Sequence, residues 1–175
     1  PEAKVGRTKD GATDMIYKPE HVSDLESGAI VEAQVRPGDA ADTAELSERI
    51  MAATLTLAEA APEAAVERLG SELAADEGYF ALEEMAALQR CGVRTVVVDP
   101  HAGRRRKDLG VEQTKVLNRA RRATTSKSGR ALLRRRGQHL ERAFCHLLDH
   151  GGLRRATLKG CENLSKRYLA AAMSF

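Results

Sequence analysis

Two carboxylates hold positions suited to acid or metal chemistry. Asp76 closes the short apolar run Leu73-Ala74-Ala75 and is followed by Glu77-Gly78-Tyr79. An acid at the carboxyl end of a strand of small residues stands in the crevice where open α/β sheets take their ligands. The same residue also suits a plainer task, as an acidic turn or cap residue for the next helix. Glu141 belongs to a helical stretch whose apolar stripe is Leu133, Leu140, Phe144 and Leu147. It lies about 100° round the helix from Leu140, at the edge of that stripe. Gly137 and Cys145 share its face, with Arg134 and Leu148 a further turn away, which leaves room for a metal or a phosphate. The alternative is an exposed Glu paired with Arg134, Arg135 or Arg142.

Other reactive groups are less well arranged. His146 and His150 are four residues apart and can face one ion, but there is no HExxH and no evident third ligand. His21 and His101 are isolated and read as surface or hydrogen-bonded histidines. Cys145 has no His and Asn framework for nucleophilic work. Neither a GxxxxGK loop nor a GxGxxG turn is present, so no nucleotide cofactor is expected.

The formal net charge of +3 over 175 residues conceals an asymmetry. Residues 1–100 carry 9 Lys and Arg against 20 Asp and Glu, a net −11; residues 101–175 carry 19 against 5, a net +14. The basic half is dense at Arg104-Arg105-Arg106-Lys107, at Arg119, Arg121 and Arg122, and at Arg134, Arg135 and Arg136. Arg142, Arg154 and Arg155 extend it. A polyanion partner is the expectation, because the planar guanidinium fork binds two phosphate oxygens at once. A solvated helix face is the competing reading. Aromatic residues are only 3% and Trp is absent, which weakens any reading that needs base-stacking platforms. Cys91, Cys145 and Cys161 are odd in number and form no CxxC, against a disulfide scaffold and in keeping with a reducing cytoplasm. No run of about 18 apolar residues and no secretory leader pattern is found, so neither a spanning helix nor a membrane partner is expected.

The elements that must position these groups follow from periodicity. Residues 1–12 read as a loop. Thr13 to Val22 has strand character, with Pro19 marking an edge strand or its end. Asp24 to Gly28 is turn chemistry. Val31, Ala33 and Val35 alternate with polar residues from Ile30 to Arg36, closing a hairpin before Pro37-Gly38. A helix capped by Asp42 or Thr43 runs to Ala60 on a stripe of Leu46, Ile50, Ala53 and Leu57. Pro62 and an acidic Ala/Glu stretch connect it to the strand ending at Asp76. A helix from Ala81 to Arg90 precedes a β-branched strand from Val93 to Val98, and these two strands are expected to be parallel. A basic loop leads to helices over Val111–Ala123, Leu132–Leu148 and Leu158–Met173. The expectation is an α/β fold of one domain, with an acidic, sheet-containing part over 1–100 and a basic, mainly helical part over 101–175. The strand bearing Asp76 is expected to lie between the hairpin and the Val93–Val98 strand in one mixed sheet.

Taken together, these segments resemble the DDE transposases of bacterial insertion sequences. The resemblance rests on Pro1-Glu-Ala-Lys-Val-Gly-Arg-Thr-Lys-Asp-Gly11, Tyr17-Lys-Pro-Glu-His-Val-Ser-Asp-Leu-Glu-Ser-Gly-Ala-Ile30, Ala75-Asp-Glu-Gly-Tyr79 and Gly92-Val-Arg-Thr95. In the basic half it rests on Asn118-Arg119, Leu133-Arg-Arg-Arg-Gly-Gln-His-Leu-Glu-Arg-Ala-Phe144 and Gly151-Gly-Leu-Arg-Arg-Ala-Thr-Leu-Lys-Gly160. It covers nearly the whole chain, and the pairing of the Asp76 strand end with the Glu141 helix is its most specific feature.

The resemblance implies an RNase H-like catalytic domain in which three carboxylates hold two magnesium or manganese ions. These would activate a water or a 3′-hydroxyl against a DNA phosphodiester at transposon ends and target. Asp76 matches the second carboxylate and Glu141 the third, and the first strand with its Asp is missing. Asp24 is the only tempting substitute, but it sits at a hairpin turn. Glu77 stands where Lys is common, and Leu133 and Leu148 stand where Tyr and Lys often flank the third carboxylate, while Arg136 persists. The expectation is a partial transposase catalytic domain, inactive alone, located in the cytoplasm at the nucleoid, with Arg119, Arg121, Arg122, Arg134, Arg135, Arg136, Arg142, Arg154 and Arg155 on DNA. An intact relative would form a homo-oligomer. Two other readings stand beside it: a non-enzymatic basic nucleic-acid-binding module, and a metal-dependent nuclease of the same fold.

Overall fold

The computed structural model of the chain describes residues 3–7, 11–60, 70–104, 106 and 109–175. The expected loop at residues 1–2 and 8–10, most of the connection around Pro62, and Arg105 and Lys107 of the basic run lie outside the described residues. The protein is a mixed α/β molecule of two compact units, one formed by Pro1–Ala41 with Gln138–Phe175, the other by Asp42–Gly137. The change of charge near residue 100 is not where the units divide.

The first unit is built on an antiparallel sheet in the order β1-β2-β3, from β1 (Lys4–Arg7), β2 (Thr13–Ser23) and β3 (Ile30–Pro37). The expected hairpin is present, with Tyr17 opposite Pro37 and Val22 opposite Glu32. Its turn is held by Asp24, whose carboxylate accepts the Glu26 and Ser27 amides at 3.2 and 2.8 Å, while Gly28 takes a left-handed φ of 81° that suits a residue without Cβ. β1 appears where a loop was expected, because Lys-Val-Gly-Arg has no alternation to announce a strand. Pro19 therefore sits in the middle strand, and the ladder tolerates it. β1 pairs only with residues 13–16, and the Val35 amide and carbonyl opposite Pro19 bond to Ser165, away from β2. Pro19 faces Val35 at a position where no ladder bond is required of it. Helix α5 (Cys161–Met173) packs on β3 and β2, burying Leu164 and Tyr168.

The second unit begins with α1 (Leu46–Ala60), which buries Leu46, Ile50 and Ala53 as the stripe requires. It starts at Leu46 rather than at Asp42 or Thr43, because Glu45 takes a left-handed φ of 59°. The Ser47 amide is instead satisfied by Glu84 at 2.6 Å, a cap delivered from another helix. β4 (Glu72–Ala75) and β5 (Arg94–Val97) are parallel, Ala75 opposite Val97, with a 3-10 turn (Glu77–Tyr79) and α2 (Leu82–Arg90) between them in sequence. Met85, Leu88, Val96 and Val97 are buried against α3 (Val111–Thr125), which contributes Val116, Leu117 and Ala120. Helix α4 (Lys127–Phe144) starts in this unit, and its last residues belong to the other, where a π-helical turn (Cys145–His150) continues it.

The expected single mixed sheet is not formed. Among the described residues β4 pairs with β5 alone and the hairpin strands form a separate sheet. The edge of β3 is one reason: at Val35 its outward amide and carbonyl are bonded to Ser165 of α5, so a helix covers the position where a further strand would pair. Among the described residues no helix is long and apolar enough to cross a membrane.

Candidate functional site

Asp76 follows β4 directly and caps the 3-10 turn with its backbone: its carbonyl accepts the Tyr79 amide at 3.0 Å, while its side chain makes no capping bond. The carboxylate, 66% exposed, instead accepts a 2.6 Å bond from Nη1 of Arg136 on α4, whose side chain is 18% exposed. Gly78 keeps this turn open to Asp42, since a Cβ at position 78 would stand 2.9 Å from Asp42 Oδ2. Parallel strands put their carboxyl ends together, so Asp76 lies beside the end of β5.

That end carries an acid that sequence periodicity did not single out. Asp99 follows β5 by two residues and its side chain has no solvent exposure. Arg121 donates to its Oδ2 through Nε at 3.0 Å and Nη2 at 2.6 Å, and Arg106 donates to Oδ1 at 2.8 Å, as does the His101 amide at 3.0 Å. Burial pushes the Asp99 carboxyl up, but donation from Arg121, His101 and Arg106 outweighs it and holds the pKa below the ordinary value. Arg121 also donates to the carbonyls of His101 and Arg104, and Arg106 lies over the Phe80 ring at 5.5 Å. Asp99 thereby anchors the start of the basic loop. The only signal for it in the sequence is a carboxylate just past a β-branched run.

Glu141, in the other unit, is exposed on α4 and makes no ion pair with any described residue. Asp76 and Glu141 thus belong to different units. Several of the arginines are held by carboxylates. Arg121 is bound to Asp99, Arg136 to Asp76 and Arg154 to Asp149, whose carboxyl that donation holds below its ordinary range. Arg119, Arg122, Arg134, Arg135, Arg142 and Arg155 are exposed. Arg154 and Arg155 rim a hollow of about 310 Å³ in the first unit, floored by Ile16, Val35, Leu164 and Tyr168.

The remaining groups offer little chemistry. The His146 and His150 rings are 5.9 Å apart and both residues are exposed. His21 is a hydrogen-bonded histidine, its Nδ1 2.9 Å from the Tyr168 hydroxyl. Asp24 is engaged in its turn. Among the described residues no three His, Cys, Asp or Glu side chains come together as ligands for a cation. No family model matches the chain, and no curated protein or solved structure matches it significantly.

Proposed function

We propose that the chain is a partial catalytic domain of a DDE transposase, RNase H-like in fold, from a protein that cuts and joins DNA at insertion-sequence ends with two magnesium or manganese ions. The observation that supports this reading best is the position of Asp76: an exposed carboxylate at the carboxyl end of a parallel strand, already holding a cationic group from the Arg-rich helix α4. The pairing of Ala75-Asp-Glu-Gly-Tyr79 with Leu140-Glu-Arg-Ala-Phe144 supports it from the sequence. In this reading Asp76 and Glu141 are cation ligands and the exposed arginines hold the DNA backbone. Two divalent ions bring four positive charges, and two carboxylates offset only two of them, so the chain alone does not cleave DNA. Calorimetric titration with magnesium tests the assignment. Weak binding that is lost in both Asp76→Asn and Glu141→Gln is expected; binding that survives both substitutions removes these residues from the site.

The exposed Arg119, Arg122, Arg134, Arg142 and Arg155 also suit a second reading, a basic nucleic-acid-binding module without catalysis. That reading expects DNA affinity indifferent to magnesium and to both carboxylate substitutions.

A further inference from the structure

A cleft of about 450 Å³ opens in the second unit, between the start of β5 and the second half of α3. Gly92, Val93, Arg94 and Thr95 form one wall, and Arg119, Arg122, Ala123 and Ser126 form the other. Arg119 and Arg122 are three residues apart on α3, so their side chains rise on one helix face about 5–6 Å apart at Cβ. Both are exposed, and neither makes an ion pair with a described residue. They differ in this from Arg121, which points to the other side and is bound to Asp99.

The two walls are tied together. Arg94 is paired with Glu72 and donates to the hydroxyls of Ser126 and Ser128 at 3.1 and 2.9 Å. Ser126 closes α3 and opens α4: its hydroxyl donates to the Ala123 carbonyl at 2.7 Å and accepts the Gly129 amide at 3.0 Å. Gly129 is required at this corner, because a Cβ there would collide with the Ala123 carbonyl. Three guanidinium groups, Arg94, Arg119 and Arg122, line the cleft; Glu72 is paired with Arg94, and Glu112, whose carboxyl also feels Arg119, is paired with Lys115. Gly92, Val93 and Ala123 give the cleft an apolar surface beside those charges. Paired guanidinium groups over an apolar wall suit a phosphodiester, whose charge is flanked by sugar carbons.

We propose that this cleft seats a phosphodiester of the DNA backbone on Arg119 and Arg122, with Arg94 and Ser126 holding the rigid corner behind it. The proposal rests on the reading of the chain as a DNA-handling protein, and its test separates the two. The full chain is titrated with a fluorescent duplex at several salt concentrations, as wild type and as Arg119→Gln with Arg122→Gln. Each phosphate contact contributes about −0.9 to the slope of log K against log salt, so the double variant is expected to show a slope shallower by about 2 and binding roughly 60-fold weaker at 0.1 M salt. Both residues are exposed, and unchanged thermal melting verifies that the fold is intact. Wild-type binding with the same slope in the double variant overturns the cleft and leaves the DNA reading standing. Absence of any salt-dependent wild-type affinity overturns both. Amide shifts at Gly92 to Thr95 on adding inorganic phosphate, with DNA binding untouched by the substitutions, make the cleft a site for a free anion and also overturn the proposal.

Discussion

Arg136 and Asp76 are 60 residues apart in the chain and joined by a 2.6 Å ion pair. The pair places a guanidinium on the carboxylate proposed as a cation ligand. Arginine and magnesium then compete for the same oxygen. Replacing Arg136 with Gln is expected to tighten magnesium binding a few-fold, in keeping with the 0–1 kcal/mol typical of an exposed pair, and to change thermal stability little. Calorimetry with magnesium checks this. Weaker binding in the variant means that Arg136 supports the site instead of competing for it.

Asp99 carries a larger structural load. Its buried carboxylate is held by two arginines and an amide, and removing one partner of such a cluster leaves buried charge uncompensated. Asp99→Ala is expected to lower stability by about 3 kcal/mol in urea unfolding at pH 7. The pH dependence follows from the lowered pKa. The contribution is complete above the ordinary value of 3.8 and disappears as pH falls through the lower folded value. The gap between wild type and variant should therefore be constant from pH 7 to about 5 and narrow only at pH values below 3.8. A gap that closes near neutrality contradicts the clamp.

Ser165 both donates to and accepts from the backbone of Val35, at 3.2 and 2.9 Å. Ser165→Ala leaves an edge amide and carbonyl of a half-buried strand without that partner, at a cost of about 1–3 kcal/mol. Hydrogen exchange reads the site directly: the Val35 amide should exchange faster in the variant while the amides of α2 keep their protection. Unchanged exchange at Val35 denies Ser165 its role at the sheet edge.

Gly129 tests the α3–α4 corner. Gly129→Ala normally favours a helix, but here the methyl meets the Ala123 carbonyl. The expected net effect is destabilisation by about 1–3 kcal/mol, read as a lower urea midpoint. A stabilised variant would mean that the corner relaxes without cost.

Much of the local structure was legible in the residues. Val31, Ala33 and Val35 alternate as a strand, Asp24 to Gly28 carry turn chemistry, and Leu46, Ile50 and Ala53 recur at helical spacing, because neighbours along the chain determine these features. The separation of the sheets was not legible. Part of it is the cover of the β3 edge, where Ser165 reaches Val35 across 130 residues, and no local pattern encodes that contact. Asp76 is legible because a strand of small residues ends there, whereas Asp99 is not, because its two arginines come from a loop and from α3. Arg121 illustrates the same limit. Among the basic residues of α3 it looks like Arg119 and Arg122, yet its partner Asp99 lies 22 residues earlier.

In the proposed function, Asp76 and Glu141 are two of three carboxylates in a metal-dependent DNA-cutting centre. A nicking and strand-joining assay on DNA carrying insertion-sequence ends, with magnesium or manganese, tests it most directly. It is run with this chain and with a version joined to an upstream strand carrying an Asp, each also as Asp76→Asn and Glu141→Gln. The account predicts no cutting by the chain alone, cutting and joining by the extended version, and loss of both activities in either variant. Cutting by the chain alone that Asp24→Asn abolishes, or cutting that survives the loss of both Asp76 and Glu141, would contradict it.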